Sequence, residues 1–164
     1  CDLMAANWVE ALRTRGLDLG SGGYPLHGPD GPPPGKASRE TDGAEEEDVP
    51  WGPHDWISRV GLTEAEKLML VRVTMLSGKA HAFHRHPTME EIIYVIEGQA
   101  EQWVDRDRQL LGPGDAAHIP TDMVHGTYNA GDTILVFLAI LSPAVFEGPA
   151  LVDVSEDEPW ASMR

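Results

Sequence analysis

An all-β fold, an antiparallel sandwich or barrel, is what this sequence predicts, and three observations carry the prediction. Between Trp56 and Phe146, short runs rich in Val, Ile, Leu and Met recur at close spacing. Turn signals separate them, namely Gly98, Gly112-Pro113-Gly114-Asp115 and Asn129-Ala130-Gly131-Asp132. No helical pattern intervenes, so a parallel sheet with crossover helices is not expected.

The elements follow in order. Residues 2–15 read as a short helix: Asp2 caps it, Leu3, Met4, Trp8, Val9 and Leu12 form a loose apolar stripe, and Gly16 stops it. Residues 17–55 hold seven of the thirteen prolines and the acidic run Glu45-Glu46-Glu47-Asp48, with few apolar side chains to offset the cost of ordering the backbone. An irregular, solvated arm is expected there, anchored near its end by Trp51 and Trp56. Strands are expected at Lys67–Leu76, Glu91–Glu97, Ala100–Val104, Ala116–Pro120 and Thr133–Leu141. The expected organisation is therefore a helix and arm over 1–55, a barrel over 56–147, and a tail over 148–164.

The 164 residues suit one domain. With 12 Lys plus Arg against 27 Asp plus Glu, the net charge is −15, which argues against a nucleic-acid or anionic-membrane partner. The longest apolar run, Ile134–Leu141, is far too short to span a bilayer as a helix. One cysteine, Cys1, permits neither an intrachain disulfide nor a cysteine-based zinc cluster. A cytoplasmic protein is expected; a lipoprotein anchored through Cys1 is the alternative.

Seven histidines stand out in such a chain. His84 and His86 are two apart and share one face of a strand, and Pro87 favours a turn after them. The next strand begins at Glu91. If the turn brings Glu91 back beside the pair, two imidazoles and a carboxylate converge, and His125 follows a second turn downstream. Three imidazoles and one carboxylate suit a borderline divalent metal.

The spacing of these residues resembles the paired motifs of the cupin superfamily. Gly78, His84, His86, Glu91 and Gly98 fill every fixed position of the first motif; Gly114, Pro120, His125 and Asn129 match the second, with Asp122 where the family usually has Gly. The resemblance covers roughly residues 60–146. It implies a jelly-roll β-barrel, commonly a homodimer, with one divalent transition metal (Fe, Mn, Ni, Zn, Co or Cu) held inside by His84, His86, Glu91 and His125. It also implies a small-molecule ligand in the barrel and either enzymatic or binding function. The metal-dependent classes include dioxygenation, which is slightly preferred, and isomerase, decarboxylase or lyase chemistry; the alternative is a module that binds a sugar or organic acid without turnover. Four protein donors leave an octahedral ion about two open positions, and a net +1 there favours an anionic or enolisable oxygen ligand.

Further candidates are weaker. His118 precedes Pro120 in a strand and either lines the cavity or faces out; in the first case it could be a base. Tyr94 could donate a proton, although its parity sets it opposite Glu91 and favours packing. Gln102 and Trp103 lie on opposite faces, so only one of them points inward. His81 has odd parity relative to His84 and is expected to face outward, Arg72 is expected at the surface, and Phe83 and Met123 supply lining or outer packing.

Overall fold

The computed structural model describes residues 45–164. The helix expected over 2–15 and the arm as far as residue 44 lie outside them. The described residues form eleven strands: β1 (Glu45–Val49), β2 (Gly52–Ser58), β3 (Met69–Met75), β4 (Ala80–Arg85), β5 (Glu90–Glu97), β6 (Ala100–Val104), β7 (Asp107–Leu111), β8 (Ala116–Ile119), β9 (His125–Asn129), β10 (Leu135–Ser142) and β11 (Val152–Asp153). A six-stranded sheet runs β1-β2-β3-β10-β5-β8 and a five-stranded sheet runs β11-β4-β9-β6-β7, all pairings antiparallel. The fold is an all-β jelly-roll barrel. Its one helical element among these residues is a 3-10 turn, Trp160–Ser162.

Strand alternation builds the core. On β3, Met69, Val71, Val73 and Met75 are buried while Leu70, Arg72 and Thr74 face out. The same period places Ile93 and Val95 of β5, and Leu135, Phe137, Ala139 and Leu141 of β10, in one apolar cluster with Met89, Leu111 and Ile119. Gly98 turns the chain from β5 into β6 with φ of 80°, and a Cβ there would lie 2.5 Å from the Ile134 carbonyl oxygen, so only glycine fits.

Two boundaries differ from the sequence reading. The acidic run Glu45–Asp48, expected in an irregular arm, is the edge strand β1, paired residue by residue with β2. Its exposed carboxylates are compatible with a strand because they occupy an edge, where charge discourages further pairing. Trp56 donates its indole N–H to Glu47 at 2.9 Å, and Trp51 and Trp56 pack on the core as anchors. The segment after residue 148 is likewise part of the barrel: β11 pairs with β4, and Trp160 packs against Phe83 at a centroid distance of 5.4 Å.

Candidate metal centre

The five-stranded sheet turns a polar inner face into the barrel. His84 on β4 stands directly opposite His125 on β9, and His86 follows two residues beyond His84. Glu91 comes from the other sheet. On β5 it stands between Leu141 of β10 and Ile119 of β8 across the ladders, so a single carboxylate interrupts an otherwise apolar row and reaches toward the histidines. All four side chains are buried, and their donor atoms lie within 4.8 Å of one another.

Hydrogen bonds fix how the rings present themselves. Nδ1–H of His84 donates to the Ala82 carbonyl at 2.7 Å, that of His86 to Ala150 at 2.7 Å, and that of His125 to Met123 at 3.0 Å. A carbonyl only accepts, so each neutral ring carries its proton on Nδ1 and aims the Nε2 lone pair at the centre. There the Glu91 Oε2 sits 2.8 Å from His125 Nε2 and 3.5 Å from His86 Nε2. His84 Nε2, His125 Nε2 and Glu91 Oε2 are all buried without a hydrogen-bond partner. Acceptors facing acceptors in a dry interior are costly, and a cation at their common focus removes the cost. The donor set therefore fits a divalent metal ion.

The electrostatics agree. Burial, reinforced by His81 and His125 nearby, keeps His84 well below the ordinary imidazole range and so neutral. Burial alone would raise Glu91, but hydrogen bonds and positive charge from the facing His125 and His86 rings outweigh it and hold the carboxyl below its usual range, the part a bound cation would take over. Burial also pulls His86 down, yet the Glu91 carboxylate and the Ala150 carbonyl raise it overall; a proton on His86 is thus the competitor a metal must displace.

The remaining candidates divide. Gln102 points inward and is 2% exposed, accepting from the Thr127 hydroxyl at 2.7 Å and donating Nε2–H to the Trp103 carbonyl at 3.1 Å. Trp103 faces outward over Phe83, which also packs against Tyr128 and Trp160 on the back of the sheet. Tyr94 and His118 do not reach the centre. Both lie on the outer face of the six-stranded sheet, where Ile92 stands opposite His118 and Tyr94 opposite Ala116, and His118 contacts the exposed Glu90 at 3.1 Å. Arg72 is on that same outer face, paired with Asp55 at 3.4 Å. Met123 packs partly buried against the core. Asp122 adopts a left-handed φ of 63°, as the Gly of the motif would, and its side chain pairs with Arg85.

His81 is the correction. It faces the interior, its ring stacked on His84 at 3.7 Å and on Trp51 at 4.6 Å. The ladder between β4 and β9 matches His81 with Thr127 and His84 with His125, so Ala82 and Phe83 together oppose Gly126 alone. This bulge resets the alternation, and both histidines point the same way despite their odd spacing. Gly126 is the trace it leaves in the sequence: a Cβ there would approach the Tyr128 ring to 3.0 Å and Phe83 to 3.4 Å.

Comparison with known proteins agrees with this architecture. Residues 71–141 match the family described as Cupin domain, and this stretch of the chain is a cupin domain. It is 34% identical to the polyketide synthase CurC of Streptomyces cyaneus over 54% of this chain and 56% of that protein. Among solved structures it resembles KdgF from a Halomonas species (25% identity, TM-score 0.54, 60% of this chain and 86% of that one). It also shares its fold with an RmlC-like cupin from Shewanella frigidimarina (24% identity, TM-score 0.57, 66% and 92%). The chain spans only 56% and 62% of the lengths of the first two curated relatives it matches. No helix among the described residues is long and apolar enough to cross a membrane.

Proposed function

We propose that the protein is a metal-dependent cupin enzyme that takes a small oxygen-rich molecule into the barrel and transforms it at one divalent transition ion. The observation that carries this reading is the buried cluster of three imidazoles and one carboxylate, whose donor atoms lie within 4.8 Å of one another, with His84 Nε2, His125 Nε2 and Glu91 Oε2 lacking any hydrogen-bond partner. His84, His86, Glu91 and His125 would hold the ion. When bound, it would supply Lewis-acid polarisation of a ligand oxygen or, as iron or manganese, activation of dioxygen, and dioxygenation is the reaction we favour. The backbone carbonyls of Ala82, Met123 and Ala150 orient the ligating rings, and the apolar row around Glu91 excludes water from the carboxylate. Kinship with KdgF supports an oxygen-rich substrate, since the Dickeya dadantii protein of that name, 29% identical over 74% of its length, is a pectin degradation protein. We place a second copy of the chain on the outer face of the six-stranded sheet, where Ile92, Tyr94 and Ile96 stand exposed beside Leu138 and Ile140.

The test is to load metal-stripped protein with Fe(II), Mn(II), Co(II), Ni(II), Cu(II) or Zn(II) in turn. Each form is then incubated with a panel of small hydroxy and keto acids, following products by mass spectrometry and oxygen by electrode. Conversion that requires metal and is lost in His84→Ala supports an enzyme; oxygen uptake alongside it supports dioxygenation. Acids that bind every metal form and are recovered unchanged would instead assign a binding module.

A further inference from the structure

The metal donors use one row of the polar inner face, and a second row lies beside it. His81 on β4 stands opposite Thr127 on β9, which stands opposite Gln102 on β6. The neighbouring row is His84, His125 and Val104. The bulge at Ala82 and Phe83 brings His81 into register with these inward positions; plain alternation would have left it outside.

Each member has hydrogen-bonding capacity to spare. The Thr127 hydroxyl donates to Gln102 Oε1 and keeps its lone pairs, while Gln102 Oε1 keeps a second lone pair. His81 is clamped between His84 and Trp51 at interplanar angles of 18° and 16°. Trp51 is itself held, its indole N–H donating to His54 Nε2 at 3.0 Å. Stacking on both faces fixes the plane of the His81 ring and leaves its nitrogens at the edge, and among the described residues neither has a hydrogen-bond partner. The residue is half-buried beside the candidate ligand His84 and keeps some accessible surface. An imidazole re-aimed inward by a bulge, held in plane by two stacked rings and with both edge nitrogens free among the described residues, is set to hydrogen-bond a ligand.

We propose that the row His81–Thr127–Gln102 is the ligand-recognition face of the metal cavity and that it reads a hydroxyl group. The ligand class is then a small hydroxylated carboxylic acid, with its acid end at the ion and a hydroxyl at His81. This rests on the metal-centre reading, which supplies the net positive charge for the acid end. The row contains no Lys or Arg to pair a second carboxylate, whereas its imidazole, hydroxyl and amide together offer hydrogen-bond donors and acceptors, as a hydroxyl group requires.

Cobalt(II)-loaded protein, titrated with glycolate and with glycerate and followed by its visible absorption, tests this directly. Glycerate carries the additional hydroxyl and should bind about tenfold more tightly, the worth of one good hydrogen bond. In His81→Phe the ratio should fall to about one while cobalt stays at one per chain; His81→Asn, which keeps a donor, should recover part of it. Gln102→Leu, whose native hydrogen bonds go to Thr127 and Trp103 and to no candidate ligand, should also lower the ratio and serves as the test if His81→Phe loses cobalt. Equal binding of the two acids by the unmodified protein, or an undiminished ratio in the variants, overturns the proposal and leaves the metal centre standing. Failure of the unmodified protein to take up cobalt, visible before any acid is added, overturns the metal centre and this proposal with it.

Discussion

The two sheets turn unlike faces toward each other. From β3 to β8 the inner face of the six-stranded sheet is apolar, Met69 at one end and Ile119 at the other, with Glu91 as the carboxylate that interrupts it. The inner face of the five-stranded sheet presents His81, His84, Gln102, His125, Thr127 and Asn129. One face thus holds the barrel together by burial, and the other is organised around a charge. Mutations should separate these two jobs.

The largest effect is expected at the polar face. His125→Ala removes a donor whose Nδ1 is pinned by Met123, and metal affinity should fall by more than the roughly 10- to 100-fold typical of losing an outer-shell partner. Metal titration measures it, and the metal-free Tm should move much less than the metal-loaded Tm. Phe137→Ala should do the reverse. Emptying a core position costs about 3–5 kcal/mol in denaturant unfolding, while the folded fraction should still bind one metal ion in the cold.

A smaller effect separates the faces by pH. Burial holds His81 at about 3 in the fold against 6.5 in an ordinary imidazole. Between those values the unfolded chain binds a proton that the native state does not, so stability falls as pH drops through that window. For Glu101, burial is outweighed by Arg164, Arg108 and Trp103, which hold it at about 2; its contribution is present above 4.5 and lost below. The raised His86 contributes in the opposite sense: its stabilisation is complete below 6.5 and is lost as pH rises through its folded value. Metal-free protein should therefore lose Tm on acidification below 6.5, and His81→Phe should flatten the slope there by about one proton. Metal-loaded protein should in addition release its ion toward and below about pH 6, as the ligating imidazoles protonate.

The smallest effect is expected at Asp122→Gly. Glycine relieves the left-handed backbone but gives up the Arg85 pair, so stability should change by less than about 1 kcal/mol and metal affinity hardly at all.

The same contrast explains what could be read from the sequence. The apolar face obeys strict alternation, and β3, β5 and β10 are visible as runs of Val, Ile, Leu and Met. The convergence of His84, His86, Glu91 and His125 was legible because their spacing follows strand and turn geometry that Pro87, Gly98 and Pro120 mark out. His81 was not, because a bulge overrides parity and only Gly126 hints at it. His118 and Tyr94 are polar residues on a strand whose register alone decides their face, and that register puts them outside. The acidic run at β1 looked like a solvated arm because an edge strand with one exposed side needs no apolar pattern; its partner β2 and the two tryptophans hold it.

The central claim is that three imidazoles and one carboxylate share one ion. X-ray absorption on cobalt- or zinc-loaded protein tests it most directly. The expected result is a single shell of nitrogen and oxygen at about 2.0–2.2 Å, with the outer-shell scattering of three imidazoles, reduced to two in His125→Ala. A sulfur shell, or the scattering of fewer than two imidazoles in the unmodified protein, would contradict it.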